Sequence, residues 1–488
     1  MTLASTPAAT PASGAPTRTS PVAGLRVTTR LGYGLGAVAL GVKDTGFNTF
    51  LLLFYNQVLG LSAGLAGLAL MLTLIGDAVL DPLIGVVSDG WRSRLGRRHP
   101  FMYAAVLPAA AAHLLLWIPP HGLAGAALFW WLLALSMAGR FCFSLFEVPF
   151  VSLVPAITTD YDERTRLIGW MTVFGWWGGL AMAVLAYAVF LRPTAGDTSG
   201  LLHAQGFAAY GLAASAAMLV TMLIASLATQ GAARGAPAAA RARITLAGAA
   251  RTFAALLAHR SVRALLASVV LLFIGQGFAG ALYAYIQVFF WDLTGPQMGL
   301  LSLAPVVSAT LALLVTPRLA AGREKRAVAT WLMMAAIVVQ PLPMLLRLAG
   351  LFPANGASLL MPLLALHSTF ETTVWVMFSI ITSSMVADLV EDTQRQGGGR
   401  REGALFALRI LAQKAVSGLG VLLSGLLLAF IRFPAHARQG HVPQPTLDHL
   451  ALTYTPIFMA LGVAGVIAMQ GYRLTRAGHE RNLAALVT

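Results

Sequence analysis

The chain has 488 residues, 58% hydrophobic and only 10% charged, with a mean hydropathy of +0.76; soluble domains average roughly 25% charged and 45–50% apolar, so composition excludes an ordinary soluble protein. A net charge of +15 does not indicate nucleic-acid binding, because the arginines lie in short clusters between apolar runs and leave no basic, aromatic-lined soluble domain. The single cysteine, Cys142, excludes an intrachain disulfide.

Residues 1–24 are rich in Thr, Ala, Pro and Ser, have no signal-peptide core, and read as a disordered cytoplasmic tail. Apolar segments of spanning length then follow near 31–58, 63–89, 101–119, 124–155, 167–191, 204–229, 264–292, 297–320, 327–350, 356–388, 403–432 and 449–472. Each reaches the roughly 20 residues needed to cross the hydrocarbon, so the expected fold is an all-α membrane protein with twelve transmembrane helices. The Ala/Arg-rich connection 230–263 divides it into an N-terminal six-helix bundle (25–229) and a C-terminal one (264–473), followed by a cytoplasmic tail (474–488). Within that connection, ITLAGAARTFAALLAHRSVR has apolar residues at helical spacing and is expected along the membrane surface. The six-plus-six arrangement resembles major facilitator transporters, in which substrate binds at mid-membrane between the halves.

Orientation follows from the loops. WRSRLGRRHP (91–100), TTDYDERTR (158–166), 230–263, GREKR (322–326) and RQGGGRR (395–401) carry the arginines. The alternate set, GLSAG, PPHG, DLTG and FPANG, has no Lys or Arg, and the other two connections have only Arg192 and Arg438. The positive-inside rule places the first set, and both termini, in the cytoplasm.

Ionisable residues inside the spans are Lys43 and Asp44, Asp77 and Asp81, Arg140 and Glu147, His367 and Glu371, and Arg409 and Lys414. A central charge costs roughly 2.5–3.5 kcal/mol on insertion scales, so such residues face a polar interior and pair. Asp77 and Asp81 share a helix face, and two close carboxylates do not both ionise comfortably. A site that takes a coupling cation is the preferred reading, with a structural pair neutralised by Lys414 or Lys43 as its rival. Lys414 is read as countercharge to the aspartates or as a base snorkelling to the interface, and Arg409 as an interfacial base.

Glu147 is a candidate substrate acceptor or member of the coupling network, or else a partner for Arg140 on the same face. His367 and Glu371 form either a structural pair or a proton relay. Lys43, Asp44, Arg140 and Glu147, with the aromatics Tyr283 and Trp375, make up the candidate substrate site. Most other span aromatics, Trp170, Trp176 and Trp177 among them, read as packing or interfacial anchors. GYGLGAVALG suits close helix packing rather than phosphate binding. No cofactor and no metal site is expected.

The run from Gly32 to Pro100, with YGLG, FYNQVLGLS, DAVLDPLIGVVSD and WRSRLGRRHPF, resembles the glycoside-pentoside-hexuronide:cation symporter family. FEVPFVSLVPAITTDYDERTRL and MVADLVED with REGALFALRILAQKAVSGLG look like the same family's later signatures. The resemblance implies cation coupling at Asp77, Asp81, Ser144 and Lys414, and a substrate-binding acid at Glu147. Its motif also implies an inward gate at Asp89 with the loop arginines Arg97 and Arg98, the rival reading being that Asp89 caps the helix while the arginines set topology; Asp388 is read as part of a cytoplasmic gate or a solvated helix end.

Departures carry information too. Where family members have an asparagine oxygen for sodium, this chain has Leu80, which favours H⁺ over Na⁺ because a proton needs only a carboxylate. A helix-one aspartate becomes Gly41, with Asp44 one turn on, a sugar-stacking tryptophan becomes Val151, and a helix-five arginine becomes Thr172. The expected function is import of a sugar, glycoside or similar small polar solute with a cation, by a functional monomer in the bacterial inner membrane. A lysolipid carrier of the same fold is the alternative. An integral membrane enzyme is disfavoured, because its nearest acid cluster, Asp388, Glu391 and Asp392, lies at a helix end beside arginines.

Overall fold

The computed structural model describes residues 25–158, 160–194, 197–233, 246–395 and 402–475. The expected tail 1–24, the first part of the central connection, most of RQGGGRR and the last residues of the chain lie outside these ranges. Among the described residues, twelve helices are long and apolar enough to span a membrane: α1 (Val27–Val58), α2 (Ala63–Gly90), α3 (His99–Trp117), α4 (Gly125–Val151), α5 (Glu163–Phe190), α6 (Ala204–Ala232), α7 (Arg260–Phe290), α8 (Gly295–Ala320), α9 (Lys325–Leu348), α10 (Leu360–Leu389), α11 (Ala412–Phe430) and α12 (Gln444–Met469).

Prolines set three of the breaks. A proline lacks the N–H that would bond the carbonyl four residues back, and its ring crowds that carbonyl. Accordingly α4 stops at Val151, four before Pro155, shorter than the expected 124–155 segment, and a separate turn Val154–Ile157 follows. In the same way α8 is interrupted after Leu301, four before Pro305, and α9 after Val339, four before Pro343.

The halves repeat in three dimensions where the sequence shows no visible repeat. Each first helix, α1 and α7, ends in a π turn, Phe54–Val58 and Ile286–Phe290. Matching backbone bonds follow, Leu59 N–H to Phe54 O and Leu61 N–H to Tyr55 O in one half, Trp291 to Ile286 and Leu293 to Gln287 in the other. Gly60 and Asp292 then turn the chain with φ of 78° and 52°, and Ser62 and Thr294 begin α2 and α8. Glycines make corresponding seams. A Cβ on Gly41 would collide with the Gly175 carbonyl of α5, and one on Gly277 with the Ser417 carbonyl of α11.

The helix Leu246–Ala258 of the central connection docks on the C-terminal half, burying Leu256 with Val262, Leu265 and Leu405. Arg263 Nη1 donates to the Leu257 and Ala258 carbonyls at 3.0 Å, closing the end of that helix.

At the arginine-poor end the two halves are tied together. Tyr285 O–H donates to Asn56 Oδ1 (2.6 Å), Gln57 Nε2 to Pro434 O (3.2 Å), and Ala437 N–H to Gln57 Oε1 (2.9 Å). Gln439 accepts from Ser199 N–H (2.8 Å) and donates to Leu293 O (3.0 Å). A single buried apolar cluster runs from the N-terminal half into the adjacent ends of α7, α11 and α12. At the arginine-rich end the ion pairs between described residues stay within one half: Arg30–Glu163, Arg98–Asp89 and Lys325–Asp388.

Candidate functional site

Four helices bring their charges to one place. The aspartates of α2 stand one turn apart, and Arg140, Ser144 and Glu147 rise along one face of α4. Lys43 comes from α1, just before its first π turn at Gly46–Phe50, and Lys414 reaches across from α11.

Asp77, 3% exposed, is held on both oxygens. Arg140 Nη1 donates to Oδ2 at 2.8 Å and Ser144 Oγ to Oδ1 at 2.9 Å. Lys414 Nζ lies 2.5 Å from Asp81 Oδ2, 3.6 Å from Asp77 Oδ2 and 3.9 Å from Glu147 Oε1. Lys43 Nζ donates to Glu147 Oε2 at 3.0 Å and lies 3.4 Å from the exposed Asp44. Two rings cover the bases: Lys43 sits 4.5 Å over Phe143 and Arg140 4.7 Å over Phe47, geometry that favours a cation on the ring face. Two polar atoms of the cluster are buried without a hydrogen-bond partner, Asp81 Oδ1 and Arg140 Nε.

The aspartates are therefore not a bare conflicted pair in this conformation. Arg140 neutralises Asp77 and Lys414 neutralises Asp81, so the rival sequence reading, with Lys414 as the countercharge, describes the geometry present. Arg140 pairs with Asp77 rather than with Glu147, whose partner is Lys43. Among pairs between described residues, only those of Lys414 join the two halves.

The other expected residues lie elsewhere. Trp375 stands edge-on to Phe273 at 5.6 Å in the C-terminal half, and Tyr283 is half-buried on α7. Neither has a hydrogen bond or ring contact with the charge cluster. Asp89 pairs with Arg98 at 2.8 Å, and Arg98 also donates to the Ser152 carbonyl at the end of α4. Asp388 pairs with Lys325 at 2.7 Å, while Arg97 is half-buried beside Arg98. The pairs of Asp89 and Asp388 thus each stay within a half. Arg409 Nη1 donates to Ser383 Oγ at 2.7 Å. His367 Nε2 meets the Val339 carbonyl at 2.8 Å and makes no ion pair with Glu371. The amide tie at the opposite end went unread in the sequence, although Asn56 and Gln57 at the end of an apolar span were a usable signal.

With this geometry in place, the comparisons are specific. A family profile described as MFS/sugar transport protein matches residues 32–476. The chain belongs to that family. An uncharacterized symporter of Synechocystis sp. is 36% identical over 166 residues, covering 33% of this chain and 30% of that protein. A putative glycoside/cation symporter of Escherichia coli is 30% identical over 157 residues, 32% and 34% of the two chains. The isoprimeverose transporter of Lactiplantibacillus pentosus is 25% identical over 170 residues, 35% of each. Each match thus spans about a third of the relative's length.

Solved structures of a nucleoside transporter (TM-score 0.63, 17% identity, 92% of this chain and 100% of that one) and a D-xylose-proton symporter (0.60, 15%, 91% and 96%) share the fold. This member of the MFS/sugar transport family is accordingly a multi-pass membrane protein with a transporter fold.

Proposed function

We propose that the protein is a secondary transporter of the bacterial inner membrane that imports a sugar, glycoside or similar small polar solute together with a cation, H⁺ in preference to Na⁺. The observation that carries the reading is the position of Lys414. Its ammonium, from the C-terminal half, occupies the space beside Asp77, Asp81 and Glu147 of the N-terminal half. Arg140, Lys43 and Lys414 already stand against Asp77, Glu147 and Asp81, so a coupling cation at Asp81 competes with that ammonium. A proton on Asp81 removes Lys414's shortest contact and weakens the only ionic link between described residues of the two halves, which couples cation binding to rocking. Leu80 beside Asp81 supplies no oxygen for a sodium cage.

With the arginine-rich loops cytoplasmic, the amide tie lies outside and the conformation is inward-facing. Asp44, 55% exposed at its side chain, and the partly exposed Glu147 give a rim of acceptors that suits hydroxyl groups better than an acyl chain. The relatives named for glycoside and isoprimeverose transport support the same solute class.

The test is a thermal-shift screen of the purified protein against sugars, glycosides and lysolipids at acidic and alkaline pH, with and without Na⁺. A sugar or glycoside that stabilises the protein more at acidic pH, independently of Na⁺, is expected. Stabilisation by lysolipids alone would overturn the proposal.

A further inference from the structure

The repeat places a small cavity in the same position within each half. In the N-terminal half α1, α3, α4 and α6 enclose about 10 Å³ beside Lys43, Arg140 and His113. In the C-terminal half α7, α9, α10 and α12 enclose about 20 Å³ among Gln276, Gln340, Glu371, Trp375 and Phe458. The second cavity has room for one water, for which about 10–15 Å³ suffices, and the amides and carboxyl offer it partners.

The two differ in charge. Lys43 and Arg140 of the N-terminal cavity are each matched by an acid, and His113 is engaged with Ser215. Glu371 makes no ion pair with any described residue, unlike Asp77, Asp81 and Glu147. Among the described residues, the elements packed around it bring no cation into contact with it. Helix α7 offers Gln276 and Tyr283, α9 Gln340, and α12 Tyr454, whose O–H accepts from Gln340 Nε2 at 3.1 Å. Helix α8 has no titratable side chain from Gly295 to Pro317. On α10, His367 is engaged with the Val339 carbonyl. The bases of α11 and of the helical stretch from Glu402 that leads into it are engaged elsewhere, Lys414 on Asp81 and Arg409 on Ser383. Arg347, at the arginine-poor end, is bonded to Pro353 and Asn355.

An ionised carboxylate inside a span, with neutral neighbours only, is costly, and its neutral form removes that cost. We propose that Glu371 is a proton-binding site of the C-terminal half, separate from the Lys414 cluster and loaded while the arginine-poor end is closed. As a neutral acid it donates to the cavity water or to a glutamine carbonyl and leaves no bare charge in the bundle. The carrier then holds protonatable acids in both halves, one set countered by bases and one not.

The site is tested by infrared difference spectroscopy on the full chain in lipid, between neutral and alkaline pH, with no solute needed. A carbonyl band of a protonated carboxyl is expected at neutral pH in wild type and in Asp81→Asn. It should be lost in Glu371→Gln and displaced in Glu371→Asp, which covers the case in which the glutamine variant does not fold. A band that persists unchanged in both Glu371 variants, or no such band in wild type, overturns the proposal. Loss of the band in Asp81→Asn alone also overturns it, by placing the proton on the coupling pair.

Discussion

Replacing Arg140 by leucine isolates the buried half of the charge cluster. The guanidinium donates to Asp77 at 2.8 Å, and the side chains are 7% and 3% exposed, so neither charge is compensated by water once the other is removed. Removing one partner of a buried ion pair costs about 3–5 kcal/mol. Lys414, 3.6 Å from the same Asp77 oxygen, retains part of the countercharge and puts the expected loss near the lower end, about 3 kcal/mol. Asp77→Leu strands Arg140 in the same way. The double variant removes both charges, and apolar replacement of a buried pair is often neutral or stabilising. A double-mutant cycle on detergent-induced unfolding should therefore show a coupling energy above about 2 kcal/mol. If the single losses add to the double loss within about 0.5 kcal/mol, Arg140 does not neutralise Asp77.

Tyr285→Phe removes one tie between the halves, the bond to Asn56 Oδ1; at about 0.5–1.5 kcal/mol it should raise the population open at that end by roughly 2- to 12-fold, read as labelling of an engineered thiol there in a Cys142→Ser background, and unchanged labelling contradicts the tie. Gly41→Asp, which restores the acid that the family resemblance implies, should lose folded protein on size-exclusion rather than gain sugar affinity, because the seam with Gly175 has no room for a Cβ; a monodisperse variant with tighter sugar binding refutes this. Leu80→Asn adds an oxygen beside Asp81 and should make ligand stabilisation of the protein responsive to Na⁺, while the same flat Na⁺ response as wild type counts against Leu80 as the reason for proton preference.

The helices were legible because length and hydropathy report burial in lipid directly, with no knowledge of neighbours. Helix breaks were less so. The residue four before Pro155, Pro305 or Pro343 marks each one, yet Pro82, Pro108, Pro149, Pro317 and Pro456 sit inside continuous helices. The proline alone does not decide; what neighbouring helices supply to the freed carbonyl does. In the site, the sequence brought forward Asp77, Asp81, Ser144, Glu147 and Lys414, since charges in apolar runs are conspicuous and shared faces follow from spacing. It did not reveal who pairs with whom. Arg140 and Glu147 share a face of α4 but are drawn to partners on α2 and α1, because helix rotation and the reach of Lys43 over Phe143 set the contacts. Closure at one end was equally hidden, since the same residues must permit both conformations.

The central claim is that the coupling cation and the Lys414 ammonium compete for Asp81. It is tested most directly in proteoliposomes with the best ligand from the screen, comparing wild type with Asp81→Asn in two modes. Wild type should accumulate the solute against its gradient under an imposed proton gradient. Asp81→Asn should lose that accumulation while still exchanging solute across the membrane at equal concentrations. Full proton-driven accumulation in Asp81→Asn would contradict the claim.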